Sequence, residues 1–366
     1  MKNSISTLIF ILFAFALYGQ VRLQDSLTNE SIVGANIYSG DGSLLGASDE
    51  NGAIHLDALK NSKIDSISIQ HIGYESRVLH FSIFKASPVI KLRPREIAIA
   101  DVEVNSNNLT DYVCLRTYFR NYETFNGSSK YFVDGIVEHY LPLTDKEEKI
   151  YRRVIGYRVY ANKKVVQDFT ETFGKLLTDP PSLERLDKYP QSKDLPKGFK
   201  IIERDNIQII ERDGINMGSV RKTKAGTIYS HLEKVARGTK VSRKFLSLRG
   251  EQYRTSIIEQ FKPTHGLHIS MDKLISKTEA TAGAVKRKSK SKFVPIQMLS
   301  ELFVLERGYL SKEEVISMKS SFTKSVFLEK KSNYKDKYWL DLDRYNIPAL
   351  APGIAKQLGE NLILVQ

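Results

Sequence analysis

Between Val21 and Leu92, turn signals cut the chain about every eight to twelve residues, and the stretches between them alternate apolar with polar side chains. That spacing restricts the region to a β-sandwich, and no helical period competes with it. Val21 and Leu23 open the pattern and Ile32–Tyr38 follows. Ser39-Gly40-Asp41-Gly42 turns the chain into Leu44–Ala47, and Asp49-Glu50-Asn51-Gly52 turns it into a run where Ile54 and Leu56 alternate with Ala53, His55 and Asp57. Ile64, Ile67 and Ile69, then Val78–Ile83 and Val89–Leu92, complete about seven strands. Asn51-Gly52 is predicted to close a hairpin with Gly52 at positive φ, and Gly73 to let the strand bend before Tyr74 packs back.

The same residues carry a family resemblance. Gly34-Ala35-Asn36-Ile37-Tyr38, Ser48-Asp49-Glu50-Asn51-Gly52-Ala53-Ile54 and His71-Ile72-Gly73-Tyr74-Glu75 follow one another as the landmarks of carboxypeptidase-regulatory-like (transthyretin-like) domains in Bacteroidetes envelope proteins do. The resemblance implies a seven-stranded sandwich over residues 20–95 that serves as an interaction module; it implies no peptidase activity. Ile99–Val104 resembles the strand that joins such a domain to an outer-membrane receptor, with Asp101 where the family carries Glu, so residues 96–108 are expected to be a connecting strand and linker. A receptor barrel of about 22 strands with its plug needs far more chain than remains after residue 108.

The N-terminus bears on compartment. Lys2 precedes Leu8–Leu17, an apolar run the length of a signal-peptide core and too short to span a bilayer. Residues 1–19 are therefore expected to be a signal peptide, cleaved after Gly19, and the chain to be exported to the periplasm, the outer membrane or the medium. The single cysteine, Cys114, sits among apolar and aromatic residues and is expected to be buried and inert. The net charge is +13; export argues against nucleic acid as the partner, which leaves anionic lipid, lipopolysaccharide or acidic glycan, or a basic surface that only aids solubility.

Residues 109–366 read as an α+β domain of long antiparallel strands and a few helices, so the fold class expected for the whole chain is mainly β with an α+β second domain. Leu109, Tyr112, Val113, Leu115, Phe119 and Tyr122 fall at helical spacing and predict an amphipathic helix over 109–125. Tyr131–Leu143 and Ile150–Tyr160 predict long strands, and Val165–Phe173 a continuation of the sheet. Asp179–Lys200, with its prolines and charges, predicts an irregular excursion. Ser311-Lys312-Glu313-Glu314 is a capping box, and Pro352 and Gly359 bracket a second short helix. Residues 111–140 and 348–364 are similar to uncharacterised secreted proteins that follow the same N-terminal domain. Long curved strands with helices are also similar in architecture to lipoprotein carriers that hold acyl chains.

Chemistry is sparse. No Gly-x-Ser-x-Gly elbow, Walker A loop or dinucleotide fingerprint occurs. His265 and His268 have an i, i+3 spacing, but Gly266 and Pro263 disfavour the helix that would aim both at one metal. Asp341 and Asp343 beside Tyr338 and Trp339 have the composition of a sugar-cleaving site, yet on a strand two such acids share a face through the period of two alone. No catalytic residue, cofactor or metal is expected. The most unusual segment is Lys286-Arg287-Lys288-Ser289-Lys290-Ser291-Lys292, whose five cations in seven residues carry no acid. They repel one another and predict an exposed loop, with Lys286, Arg287, Lys288, Lys290 and Lys292 as candidate contacts to an anionic surface. The expected function is a non-enzymatic envelope protein that binds a protein partner, glycan or lipid; the alternative is a hydrolase of envelope or extracellular glycan or peptide.

Overall fold

The computed structural model describes residues 21–54, 64–95, 100–101, 110–143, 149–174, 178–184, 186, 198–204, 207–224, 226–236, 238–245, 247–267, 269–287 and 292–366. The proposed signal peptide, His55, Leu56, Asp57, His268 and most of the 96–108 linker lie outside the described residues. The protein is mainly β, with several sheets, one of them large and almost wholly antiparallel. It divides into two compact units: residues 1–95 with Pro348–Ala355, and residues 96–347 with Lys356–Gln366.

In the first unit β1 (Val21–Asp25), β4 (Ala53–Ile54) and β7 (Val89–Leu92) form one sheet in the order β4-β1-β7. The other holds β2 (Asn36–Ser39), β3 (Leu44–Ala47), β5 (Ser66–His71) and β6 (Tyr74–His80) in the order β3-β2-β5-β6. One apolar cluster draws on both, with Leu23, Ile54, Ile90 and Leu92 from the first and Ile37, Ile67, Ile69 and Tyr74 from the second. Gly52 takes φ +72° in its turn. The Ile72-Gly73 turn brings Tyr74 back so that its hydroxyl donates to Asp25 at 3.0 Å. The strand expected over Val78–Ile83 stops at His80, whose ring accepts from the Ser82 amide and caps the helix Phe81–Ala86. Phe81 and Phe84 of that helix enter the core, which gives the apolar residues of the segment a helical rather than an alternating outlet. The C-terminal Pro348–Ala355 also belongs to this unit: a Cβ on Gly353 would lie 2.4 Å from the Gly42 amide nitrogen, an approach that only glycine permits.

The second unit is built on a sheet whose main path includes β9 (Tyr112–Phe125), β10 (Ser128–Pro142), β11 (Tyr151–Ala161), β12 (Phe199–Arg204), β13 (Ile207–Arg212), β14 (Ile215–Lys222), β15 (Ile228–Glu233), β17 (Leu248–Phe261), β18 (Leu274–Arg287), β19 (Val294–Leu310) and β20 (Ile363–Val365). Their order is β12-β13-β14-β15-β17-β18-β19-β9-β10-β11-β20, with β16 (Val241–Phe245) paired to β17. β8 (Ala100–Asp101), part of the expected connecting strand, pairs parallel to β19. Ile210 of β13 and Leu141 of β10 share one apolar cluster although six strands separate them in the sheet. Flat strands about 4.8 Å apart cannot do that, so the sheet curls around an interior filled by Val113, Ile228, Phe261 and Leu302.

Three readings of this region are corrected. Residues 112–125 are strand, not helix: both faces of β9 are buried, so apolar side chains fall on either side and imitate a helical period. Lys163–Phe173 is a helix rather than a strand; the Asn162 side chain caps it, and Val165, Phe169 and Phe173 form one apolar stripe against Phe125, Leu248 and Val285. Tyr338–Leu340 and Leu342–Tyr345 are 3-10 turns, so Asp341 and Asp343 are exposed turn residues and do not face one strand. The capping box is present as read: Ser311 accepts from the Glu314 amide and starts the helix Lys312–Ser317. A second short helix spans Pro352–Gln357.

Candidate functional site

The outer face of β19, β9, β10 and β11 carries a buried ionic network. Cross-strand register places Glu301 and Glu306 of β19, Arg116, Tyr118 and Arg120 of β9, Asp134 and Glu138 of β10, and Arg153 and Arg158 of β11 on the same side. Asp134 is 1% exposed. It accepts from both Nε and Nη2 of Arg158, from Tyr118 at 3.1 Å and from Tyr338 at 2.9 Å. Glu138 accepts from Arg116 at 3.0 Å, Arg153 at 2.8 Å and Tyr140 at 2.7 Å. Trp339, offered by composition to a sugar, instead lies over the Arg158 guanidinium at 4.2 Å and edge-on to Tyr334 and Tyr338. These charges are paired with one another, buried at Asp134, Glu138, Arg120 and Glu301 and about a third exposed at Arg116, Arg153 and Glu306. Cys114, on the same face, has its thiol pushed up to about 12 by burial and by the Glu138 charge, which leaves it protonated and unreactive.

The interior holds a second set. Lys277 lies 2.9 Å from Glu184. Burial opposes the Lys277 ammonium, but Glu184 and Glu259 outweigh it and raise its pKa, while burial lifts the Glu184 carboxyl above its usual range. His139 is held down to about 3, chiefly by burial and then by Arg152 and Lys277, so its imidazole is neutral. Among the described residues no group of three or more His, Cys, Asp and Glu is arranged for a metal, and His265 stands exposed in a turn.

The basic segment is placed differently from its sequence reading. Lys286 and Arg287 end β18 rather than lying in a loop, Lys292 is exposed, and Lys288 and Lys290 lie outside the described residues. The strand position gives Lys286 neighbours that sequence distance conceals. It is directly opposite Arg249 of β17, which is directly opposite Lys244 of β16, so three cations stand in a row across three strands on one face. Like charges directly opposite one another cost roughly 0.2–1 kcal/mol per pair. Partial relief comes from Phe293, whose ring lies 4.7 Å from the Lys286 ammonium and 5.9 Å from the Arg249 guanidinium. Arg249 also lies 3.7 Å from Glu251, which Lys240 approaches at 2.9 Å. Lys244 and Arg287 are exposed. The row was missed in sequence because about forty residues separate Lys244 from Lys286; the nearness of Arg243-Lys244 to Arg249 was its trace in the letters.

No protein-family model and no curated protein matches the chain.

Proposed function

We propose that this is an exported envelope protein that works by binding, and that the cation row Lys244–Arg249–Lys286, together with the cations that follow it in sequence, Arg287, Lys288, Lys290 and Lys292, meets an anionic surface. The row carries the proposal: a fold gains nothing from like charges set opposite one another, whereas a layer of phosphate headgroups neutralises all of them at once. The first unit is assigned as a carboxypeptidase-regulatory-like sandwich of seven strands. Its support is two sheets that share one core, with Gly52 and Tyr74 doing at their turns what the family landmarks require. Export and cleavage after Gly19 rest on the N-terminal sequence.

The experiment is co-sedimentation with vesicles containing phosphatidylglycerol at low and high salt. Wild type is expected to bind at low salt and release at high salt. A variant with Lys244, Arg249, Lys286, Arg287, Lys288, Lys290 and Lys292 changed to Gln is expected not to bind, with its melting curve retained. Binding that persists in the variant, or that ignores salt, counts against the row. The competing hydrolase reading draws on the interior groups Glu184, Lys277 and Glu259; turnover abolished by Lys277→Met in a protein that still folds moves the function there.

A further inference from the structure

A second basic feature of the second unit is concave. The helix Lys312–Ser317 buries Val315 beside Tyr112 and Tyr140, and the chain then turns through Lys319–Ser321 and runs along the start of β11. Backbone contacts fix that run: the Thr323 amide donates to the Arg152 carbonyl at 2.8 Å, and the Val154 amide donates to the Thr323 hydroxyl at 3.1 Å. Between the run and β11 lies a cavity of about 630 Å³, lined by Lys149, Arg152, Lys319 and Lys324 together with Phe322 and Phe327. Its volume is that of a small-molecule site. One wall is aromatic, with Phe322 stacked on Tyr151 at 4.8 Å, and Phe327 is 69% exposed. Four cations line it and no described carboxylate does. Lys149, Lys319 and Lys324 form no ion pair among the described residues. A site for a neutral sugar has no use for such a set, and a wholly polar anion has none for the aromatic wall.

We propose that this cavity binds an anionic amphiphile, its phosphate- or sulfate-type head held by Lys149, Lys319 and Lys324 and its apolar chain laid on Phe322 and Phe327. The proposal rests on reading the second unit as a binding unit, but it involves none of the residues of the cation row.

The probe is dodecyl phosphate below its micellar concentration, titrated calorimetrically into the full mature protein, with inorganic phosphate and neutral dodecyl maltoside as the other arms. Saturable binding of one dodecyl phosphate per chain is expected, with both other probes at least about tenfold weaker. The variant Lys149→Gln/Lys319→Gln/Lys324→Gln is expected to lose about tenfold or more in affinity, since it removes three cations from the headgroup. The Phe327→Ser variant, altered at an exposed position, is expected to weaken dodecyl phosphate while leaving inorganic phosphate unchanged. Equal binding of inorganic and dodecyl phosphate overturns the proposal, as does unchanged affinity in the triple variant. Absent dodecyl phosphate binding alongside intact, salt-sensitive vesicle binding overturns the cavity and leaves the proposed function standing.

Discussion

The strands of the first unit and the central strands of the second are buried on different terms. In the first, the strands are short and the interior they share is apolar, built from residues such as Leu23, Ile37, Ile69 and Phe84. In β9 and β10 almost every residue is buried: odd-numbered side chains such as Val113, Leu115 and Val133 face an interior that is largely apolar but also holds His139 and Lys277, while even-numbered ones such as Arg120, Asp134 and Glu138 lie in an ionic network. A large apolar side chain lost from the first kind of core costs its transfer energy and a cavity. A charge lost from the second leaves its partners buried and unpaired, which costs more per atom removed.

Asp134→Ala is the sharpest break of that contrast. It strips the partner from Arg158 and leaves the Tyr118 hydroxyl without its acceptor, while Tyr338 keeps the Asp134 backbone carbonyl, so denaturant unfolding is expected to show a loss of about 3–5 kcal/mol. Adding Arg158→Met is expected to restore part of it; a single variant as stable as wild type removes the network from the account of the fold. In the first unit, Gly52→Val is expected to cost about 1–3 kcal/mol, because a β-branched residue at φ +72° is strained and its Cβ would lie 2.5 Å from the Leu23 carbonyl oxygen. An unchanged melting curve for the full chain rules that strain out.

His139 gives a pH test of the doubly buried strands. Its imidazole titrates near 6.5 when the chain is unfolded and near 3 in the fold, so between those values the unfolded state takes up a proton that the native state does not. Stability is complete above the unfolded value and falls as pH drops through the window, by up to about 1.4 kcal/mol per pH unit from this group. His139→Leu is expected to flatten the slope of unfolding free energy between pH 6 and pH 4. A variant with the wild-type slope assigns the acid sensitivity to other groups.

The same contrast explains what the sequence disclosed. Where one face of a strand is apolar and the other exposed, as at Val89–Leu92, alternation is visible in the letters. In Tyr112–Phe125 both faces are buried and the second is charged and aromatic, so the period of two disappears although the β-branched and aromatic content remained as a hint. Lys163–Phe173 was obscured for the opposite reason: its Val165-Val166 and Thr170-Glu171-Thr172-Phe173 have strand-like composition, and the i, i+4, i+8 stripe that packs it occupies only three positions. Local chemistry was legible, including the Ser311 capping box and the Gly52 turn. Long-range pairing was not. Neither the alignment of Lys244 with Arg249 and Lys286 nor the return of Pro348–Ala355 to the first unit leaves a mark on neighbouring residues.

The central claim is that the cation row is kept for a partner rather than for the fold, and Lys244→Gln tests it most directly. Lys244 faces Arg249 and is exposed, and the Phe293 ring that eases the other two cations is contacted by Lys286 and Arg249. Removing its charge relieves one repulsive pair, so unfolding free energy is expected to stay level or rise by roughly 0.2–1 kcal/mol. Affinity for phosphatidylglycerol vesicles, measured on the same protein, is expected to fall by up to about fivefold, the share of one cation at an anionic surface. A variant that loses stability while binding vesicles as wild type does contradicts the account.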